Sequence, residues 1–129
     1  MNILFIEDDA MNRRVMRDML DVAGASMTEA ENGEIGLAAI ERGTFALILL
    51  DLRMPNMDGF EVLRQVRARV DSKSDLPVIV LTADTAVDLR ARCIELGANE
   101  VLFKPVAMDA LFDVIGRVLA SAGSGGVIE

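Results

Sequence analysis

Leu47-Ile48-Leu49-Leu50-Asp51-Leu52-Arg53-Met54-Pro55-Asn56-Met57-Asp58-Gly59 carries an apolar run into a carboxylate and then into a turn. The unbroken apolar stretch from Phe45 to Leu50 predicts a strand buried on both faces, because a strand with one wet face would alternate apolar and polar residues. Asp51 is then expected where the strand leaves the core. Pro55, Asn56 and Gly59 force a loop, since proline fixes its own torsion and disfavours helix before it, and glycine accepts torsions that others avoid. In an open parallel sheet, that strand end is where ligands bind.

Working outward, Asn2 to Ile6 forms a short apolar strand closed by Glu7, Asp8 and Asp9. From Ala10 to Ala23, Met11, Val15, Met16, Met19 and Leu20 recur at helical spacing, and Gly24 is a natural stop. Asp9 is expected to begin that helix, as an acid complementing its dipole, rather than to bind metal directly. Ser26 to Ala30 is a more polar strand, expected at a sheet edge, and Glu34 to Arg42 a second helix. Phe60 to Arg69 gives a third helix, with Asp58 as a turn residue before it. Pro77 to Leu81 is another apolar strand, ending in Thr82. A fourth helix follows, capped by Asp84 or Thr85, carrying Val87, Leu89 and Cys93 and stopping at Gly97. Glu100 to Phe103 is the fifth strand, ending in Lys104-Pro105, and Ala107 to Ala120 the fifth helix. Five strands alternating with five helices predict a doubly wound α/β domain with a parallel sheet. Residues 1–120 are expected to form it, leaving 121–129 as a flexible, Gly/Ser-rich tail or linker stub.

The composition narrows the function. A chain of 129 residues is enough for one core without disulfide staples. The single Cys93 cannot form an internal disulfide and fits a buried small hydrophobe better than a reactive thiol. Twenty-one acidic against 13 basic residues give a net charge of −8, which argues against direct nucleic-acid binding, because phosphates need a basic face. Although 52% of residues are apolar, no uninterrupted window reaches a membrane span, and no signal peptide is evident, so a cytoplasmic protein is expected. The absence of histidine excludes imidazole catalysis and a phosphohistidine carrier role.

Four of the five expected strands end in residues able to do phosphate or metal chemistry: Glu7 and Asp8, Asp51, Thr82, and Lys104. In a parallel sheet those ends point one way, so the side chains converge on one pocket. Two ionised carboxylates about 4 Å apart repel by roughly 4 kcal/mol at an effective dielectric near 20, so such a cluster wants a cation. An all-oxygen donor set selects a hard ion, and an open site beside a phosphoryl acceptor suits Mg²⁺. Asp51 could then attack a phosphoryl group in line, with Lys104 holding one phosphoryl oxygen and the Thr82 hydroxyl another.

To about residue 120 the chain resembles the receiver domain of two-component response regulators, the CheY-like family. The resemblance rests on Phe5-Ile6-Glu7-Asp8-Asp9, on Leu50 to Gly59, on Val80-Leu81-Thr82-Ala83 and on Phe103-Lys104-Pro105, in matching order and separation. It implies a 2-1-3-4-5 strand order, as in flavodoxin-like folds. It also implies a phosphoacceptor regulatory domain rather than an enzyme acting on other molecules. Asp51 would be phosphorylated by a histidine kinase or histidine phosphotransfer protein, and a downstream protein or output domain would be engaged through the fourth helix, fifth strand and fifth helix. A phosphorylation-dependent dimer is compatible with it. Mg²⁺ would be held by Asp8, Asp51 and the backbone carbonyl of Arg53, with Glu7 contributing through water, and the Lys104-Pro105 bond would be cis. Val101 stands where many members carry an aromatic switch residue, so aromatic gating is not expected. Arg53 and Asp84, each two residues beyond a site residue, are expected to pair across the pocket mouth and restrict attacking water.

An Asp-nucleophile hydrolase of the haloacid dehalogenase type is disfavoured because Arg53 stands where such enzymes carry a second Asp. A flavodoxin-like cofactor binder is disfavoured because the first strand-to-helix loop is acidic instead of Gly-, Ser- or Thr-rich. A degenerate receiver that only docks a partner would have no need of the acids, acceptor, Thr and Lys together.

Overall fold

In the computed structural model, which describes residues 1–127 and side chains through residue 122, five parallel strands form one sheet: β1 (Asn2–Ile6), β2 (Ser26–Ala30), β3 (Leu47–Asp51), β4 (Val78–Thr82) and β5 (Glu100–Phe103). Their order is β2-β1-β3-β4-β5, as expected. After β2 the chain crosses to the other side of β1 to place β3, so β1 and β3 flank the point where the winding reverses. Sheets of this kind open a crevice there.

Helices α1 (Ala10–Val22), α2 (Gly33–Arg42), α3 (Gly59–Arg67), α4 (Leu89–Glu95) and α5 (Met108–Val127) cover both faces. Alternation along β1 shows how. Ile3 and Phe5 pack with Met16 and Leu20 of α1 and Leu111, Val114 and Ile115 of α5. Leu4 and Ile6 face the other way, onto Ile40 of α2, Val62, Leu63 and Val66 of α3, and Leu89 and Cys93 of α4. All five residues of β3 are buried. Each fully buried Leu or Ile stabilises by roughly 2 kcal/mol. A one-residue slip of β3 toward its amino end would draw the Asp51 carboxylate into that apolar layer, and the cost of burying it opposes the slip.

Several boundaries differ from the sequence reading: α3 runs from Gly59 to Arg67 instead of Phe60 to Arg69, other ends shift by one residue, and four differences matter more. β3 starts at Leu47: Phe45 and Ala46 are half-buried outside the ladder, while Asp51 is still paired, opposite Leu81. α4 starts at Leu89, and Val87 is fully exposed instead of lying on its apolar stripe. The reason is Asp84, whose Oδ1 accepts the Ala86 N–H at 3.0 Å in a local Asx turn that competes with helix. Asp84 therefore caps no helix, and Asp88 at the α4 start makes no side-chain cap either. The expected loop from Val70 to Leu76 contains a 3₁₀ turn, Ser72–Asp75. Finally, α5 continues through Val127, past Ala120; Ile128 and Glu129 of the expected tail lie outside the described residues.

Where the strands begin, the elements are tied by two cations. Arg67, at the end of α3, donates to the carbonyls of Gly97 (2.9 Å), Ser74 (2.9 Å) and Leu76 (2.7 Å) and to Asn99 Oδ1 (3.0 Å). Lys73 Nζ donates to the carbonyls of Ile40, Glu41 and Gly43, which α2 leaves unpaired at its end.

Candidate functional site

Each candidate side chain sits at or just past a strand end because the parallel ladder brings those ends level. Ile6 pairs with Leu50, Asp51 with Leu81, and Thr82 with Phe103. Glu7 thus follows β1 beside Asp51 on β3, and Lys104 follows β5, its N–H held by the Thr82 carbonyl at 2.8 Å.

Glu7 is the most enclosed carboxylate, 1% exposed, and Asp51 is 3% exposed. Glu7 Oε1 accepts from Lys104 Nζ at 2.9 Å and from Asn12 Nδ2 at 3.4 Å, and Oε2 accepts from the Asp9 N–H at 3.2 Å. The same ammonium lies 3.4 Å from Asp51 Oδ1, joining residues 53 positions apart. One oxygen each from Glu7, Asp8 and Asp51 lies within 4.8 Å of the others. Asp9 is turned away from them: its Oδ1 caps α1 through the Met11 and Asn12 N–H groups at 2.8 and 3.2 Å. Asp58 caps α3 in the same way through the Glu61 N–H at 3.0 Å.

Electrostatics decide what this pocket can hold. Three carboxylates face one ammonium, and each pair of carboxylates about 4.8 Å apart repels by roughly 3 kcal/mol at an effective dielectric near 20. Asp8 shows the strain: burial, a shared hydrogen bond with Glu7 and the Glu7 charge together push its carboxyl up from the ordinary range. Burial pulls the Lys104 ammonium down, but the hydrogen bond to Glu7 and the charges of Asp51 and Glu7 outweigh it and leave the group raised. Lys104 is therefore a fixed cation rather than a proton donor. With oxygen as the only donor element and one ammonium offsetting three carboxylates, the residues fit a hard divalent cation such as Mg²⁺.

Around this centre, Thr82 is fully buried, and its hydroxyl oxygen accepts the Asp84 N–H at 3.0 Å. Asp84 is in turn paired with the Arg53 guanidinium, and the Arg53 N–H points to Asp51 Oδ1 at 3.5 Å. The Ala86 N–H and the Arg53 charge hold the Asp84 carboxyl below its usual range. The Lys104-Pro105 bond is cis. Val101 is buried within the sheet, paired with Val80. Cys93 is fully buried, and burial raises its thiol, as suits an inert packing residue.

Two contacts were not legible in the sequence. Asn12 and Arg13 occupy consecutive positions of α1, and both reach Glu7: Asn12 its carboxylate, Arg13 its backbone carbonyl at 2.8 Å. Helical periodicity cannot say which side of α1 overhangs the end of β1. Gly59 is the third feature missed as a packing requirement, because its N–H binds the Leu52 carbonyl at 3.0 Å and presses α3 against the strand end.

Comparison with known proteins adds the following. A family profile described as the response regulator receiver domain matches residues 3–116. The uncharacterized transcriptional regulatory protein YkoG of Bacillus subtilis is 36% identical over 123 residues, 95% of this chain and 53% of that protein. Response regulator MprA of Mycobacterium leprae is 37% identical over 119 residues, 92% of this chain and 51% of that protein. The chain spans about half the length of these relatives, and 11% of the similar sensor histidine kinase RcsC of Salmonella typhi, to which it is 34% identical. Among solved structures, the receiver domain of sensor histidine kinase PA1611 from Pseudomonas aeruginosa PAO1, described with a magnesium ion coordinated in its active site cleft, aligns with TM-score 0.84 and 31% identity, covering 92% of this chain and 97% of that one. Vibrio cholerae CheY4 aligns with TM-score 0.83 and 29% identity over 91% and 97% of the two chains.

Proposed function

Because the chain belongs to the response regulator receiver domain family of two-component systems, we propose that Asp51 accepts a phosphoryl group from a phosphohistidine donor and that the modified domain changes its partner binding through α4, β5 and α5. The observation that carries this reading is the meeting of the Asp51 carboxylate with the Lys104 ammonium at 3.4 Å, beside the Glu7 and Asp8 acids. A lone buried Asp would need no such company.

In the proposed reaction an Asp51 oxygen forms a bond to phosphorus as the phosphorus–nitrogen bond of the donor breaks, and the electron pair leaves on the donor imidazole. Lys104 holds one phosphoryl oxygen as a point charge and the Thr82 hydroxyl donates to another, a role open to it because the oxygen, not the proton, is used by the Asp84 N–H. Asp8, Asp51 and the Arg53 carbonyl would hold Mg²⁺, with Glu7 contributing through water. Bound there, Mg²⁺ would offset the negative charge that the carboxylates and the phosphoryl oxygens bring together. The chain promotes only its own modification and its loss, a regulatory domain rather than an enzyme. Its partners would be a histidine kinase or histidine phosphotransfer protein upstream and a protein or output domain downstream. Residues 1–120 would be the receiver unit, with α5 running on past them through Val127. No described helix is long and apolar enough to cross a membrane.

Incubation with acetyl phosphate tests the reading. Wild-type chain should gain a base-labile phosphoryl group in Mg²⁺ and none in excess EDTA; labelling that ignores EDTA, or none from either acetyl phosphate or a phosphorylated kinase, would remove it.

The pair at the mouth gives a second expected result. The Arg53–Asp84 pair would lie across the approach to Asp51 in this reading, so attacking water would have to pass or displace it. Arg53→Ala should shed phosphate a few-fold faster than wild type, the modest size following from the exposure of the pair. A rate unchanged or slower in a phosphate-release assay would count against the gate.

A further inference from the structure

We infer that Arg13 is a positioning residue for the cation site: it orients the Glu7–Asp8 peptide, and through it the two carboxylates at the end of β1. The inference rests on the reading of that cluster as a Mg²⁺ site.

Glu7 and Asp8 follow the last ladder residue of β1, where a strand loses the pairing that fixes its peptide planes. On one side the Glu7 N–H is still held by the Ala30 carbonyl at 3.0 Å. On the other the Glu7 carbonyl has run past the sheet, and its partner is Arg13 Nη1 at 2.8 Å. That carbonyl belongs to the same planar unit as the Asp8 nitrogen, so fixing its direction also fixes where the Asp8 side chain leaves the backbone. Arg13 is itself immobilised. Its Nε donates to Glu29 Oε1 at 2.8 Å, its side chain is 13% exposed, and Glu29 is also clamped by Arg17. The two arginines hold the Glu29 carboxyl below its usual range, so the anchor stays charged at neutral pH. Glu29 lies on β2 opposite Phe5 of β1. The guanidinium therefore ties the first turn after β1 to the rigid edge of the sheet, a fork that lysine's single nitrogen could not reproduce.

Residues that orient metal ligands without touching the metal commonly affect affinity by 10- to 100-fold on mutation. Arg17 provides the comparison. It grips the same Glu29 and the Met27 carbonyl at 3.3 Å, but nothing at the end of β1. Its loss should loosen the α1–β2 contact without turning the Glu7 peptide.

Titration calorimetry with Mg²⁺ on the full chain, beside a thermal melt of each variant, decides the matter. Arg13→Ala should raise the Mg²⁺ dissociation constant about 10-fold, while Arg17→Ala leaves it within about twofold whatever its melting temperature. Equal affinity in Arg13→Ala and wild type overturns the inference, and so does an equal loss in both variants, which would mark a general loosening. If Arg13→Ala does not fold, Arg13→Lys carries the test, since it keeps the charge beside Glu29 but cannot serve both acceptors; wild-type affinity there also overturns it. Wild type that binds no Mg²⁺ would remove the underlying reading along with this one, an outcome separate from wild-type binding with no Arg13 effect.

Discussion

Asp51→Asn should take up no phosphoryl group from acetyl phosphate under conditions that label the wild type. The amide matches the carboxylate in shape and can stay in the same buried place, 3.4 Å from Lys104 Nζ through its oxygen. It lacks the anionic oxygen that attacks phosphorus. The fold should not suffer. Removing one of three clustered charges relieves two repulsions of roughly 3 kcal/mol each at an effective dielectric near 20, against the loss of one ion-pair contact with Lys104. A second readout follows from the same change. Mg²⁺ at about ten times its dissociation constant stabilises a protein by about 1.4 kcal/mol, and this increment should shrink in the variant because a ligand charge is gone. Labelling of Asp51→Asn equal to wild type, measured by intact mass, would transfer the acceptor role elsewhere.

Gly59→Ala should be the most damaging single-methyl change near the site, costing about 2 kcal/mol of stability and roughly 8 °C in melting temperature. By helix propensity alone alanine would be favoured by about 1 kcal/mol at a position within α3. Contact reverses the sign. A Cβ at Gly59 would lie 2.6 Å from the Asp51 carbonyl oxygen and 2.8 Å from Leu52 Cα. Both are backbone atoms, so no side chain can swing away. Relief requires α3 to withdraw or the Asp51–Leu52 peptide to turn, and the second route moves the acceptor itself. Mg²⁺-dependent labelling of the folded variant should therefore slow as well. An unchanged melting temperature would show that α3 has more room than the distances allow.

How much of this could be read from the sequence depended on whether the signal was periodic or contextual. The apolar runs of β1, β3 and β4 announced a sheet covered on both sides, and the parallel arrangement then forced Glu7, Asp8, Asp51 and Lys104 to one rim. The meeting of Lys104 with Glu7 and Asp51 is that consequence in coordinates. The end of β3 was misjudged by one residue and its start by two, because Phe45 and Ala46 are apolar for packing rather than for pairing. The start of α4 was misplaced because capping residues are ambiguous: an Asp before an amphipathic stretch can cap it or close an Asx turn of its own, and Asp84 does the latter while pairing with Arg53. The arginines were least legible. Arg13, Arg17 and Arg67 each donate to backbone carbonyls, whose positions exist only once the chain is folded. Lys73 likewise closes the end of α2 through carbonyls that only the fold brings to it.

Arg67 and Lys73 lash α2, α3, the turn before β4 and the turn before β5 into a floor under the amino ends of the strands. At the other end Lys104 and Arg13 tie the ends of β1, β3 and β5, but the loop after β4 has no such lashing among the described residues. From Ala83 to Asp88 every side chain but Asp84 is exposed, and the side chain that ties this loop to a neighbouring one is Asp84, through its pair with Arg53. With the strand starts bolted in this way, a rearrangement that follows modification of Asp51 as proposed would fall on this loop rather than on a sliding of strands.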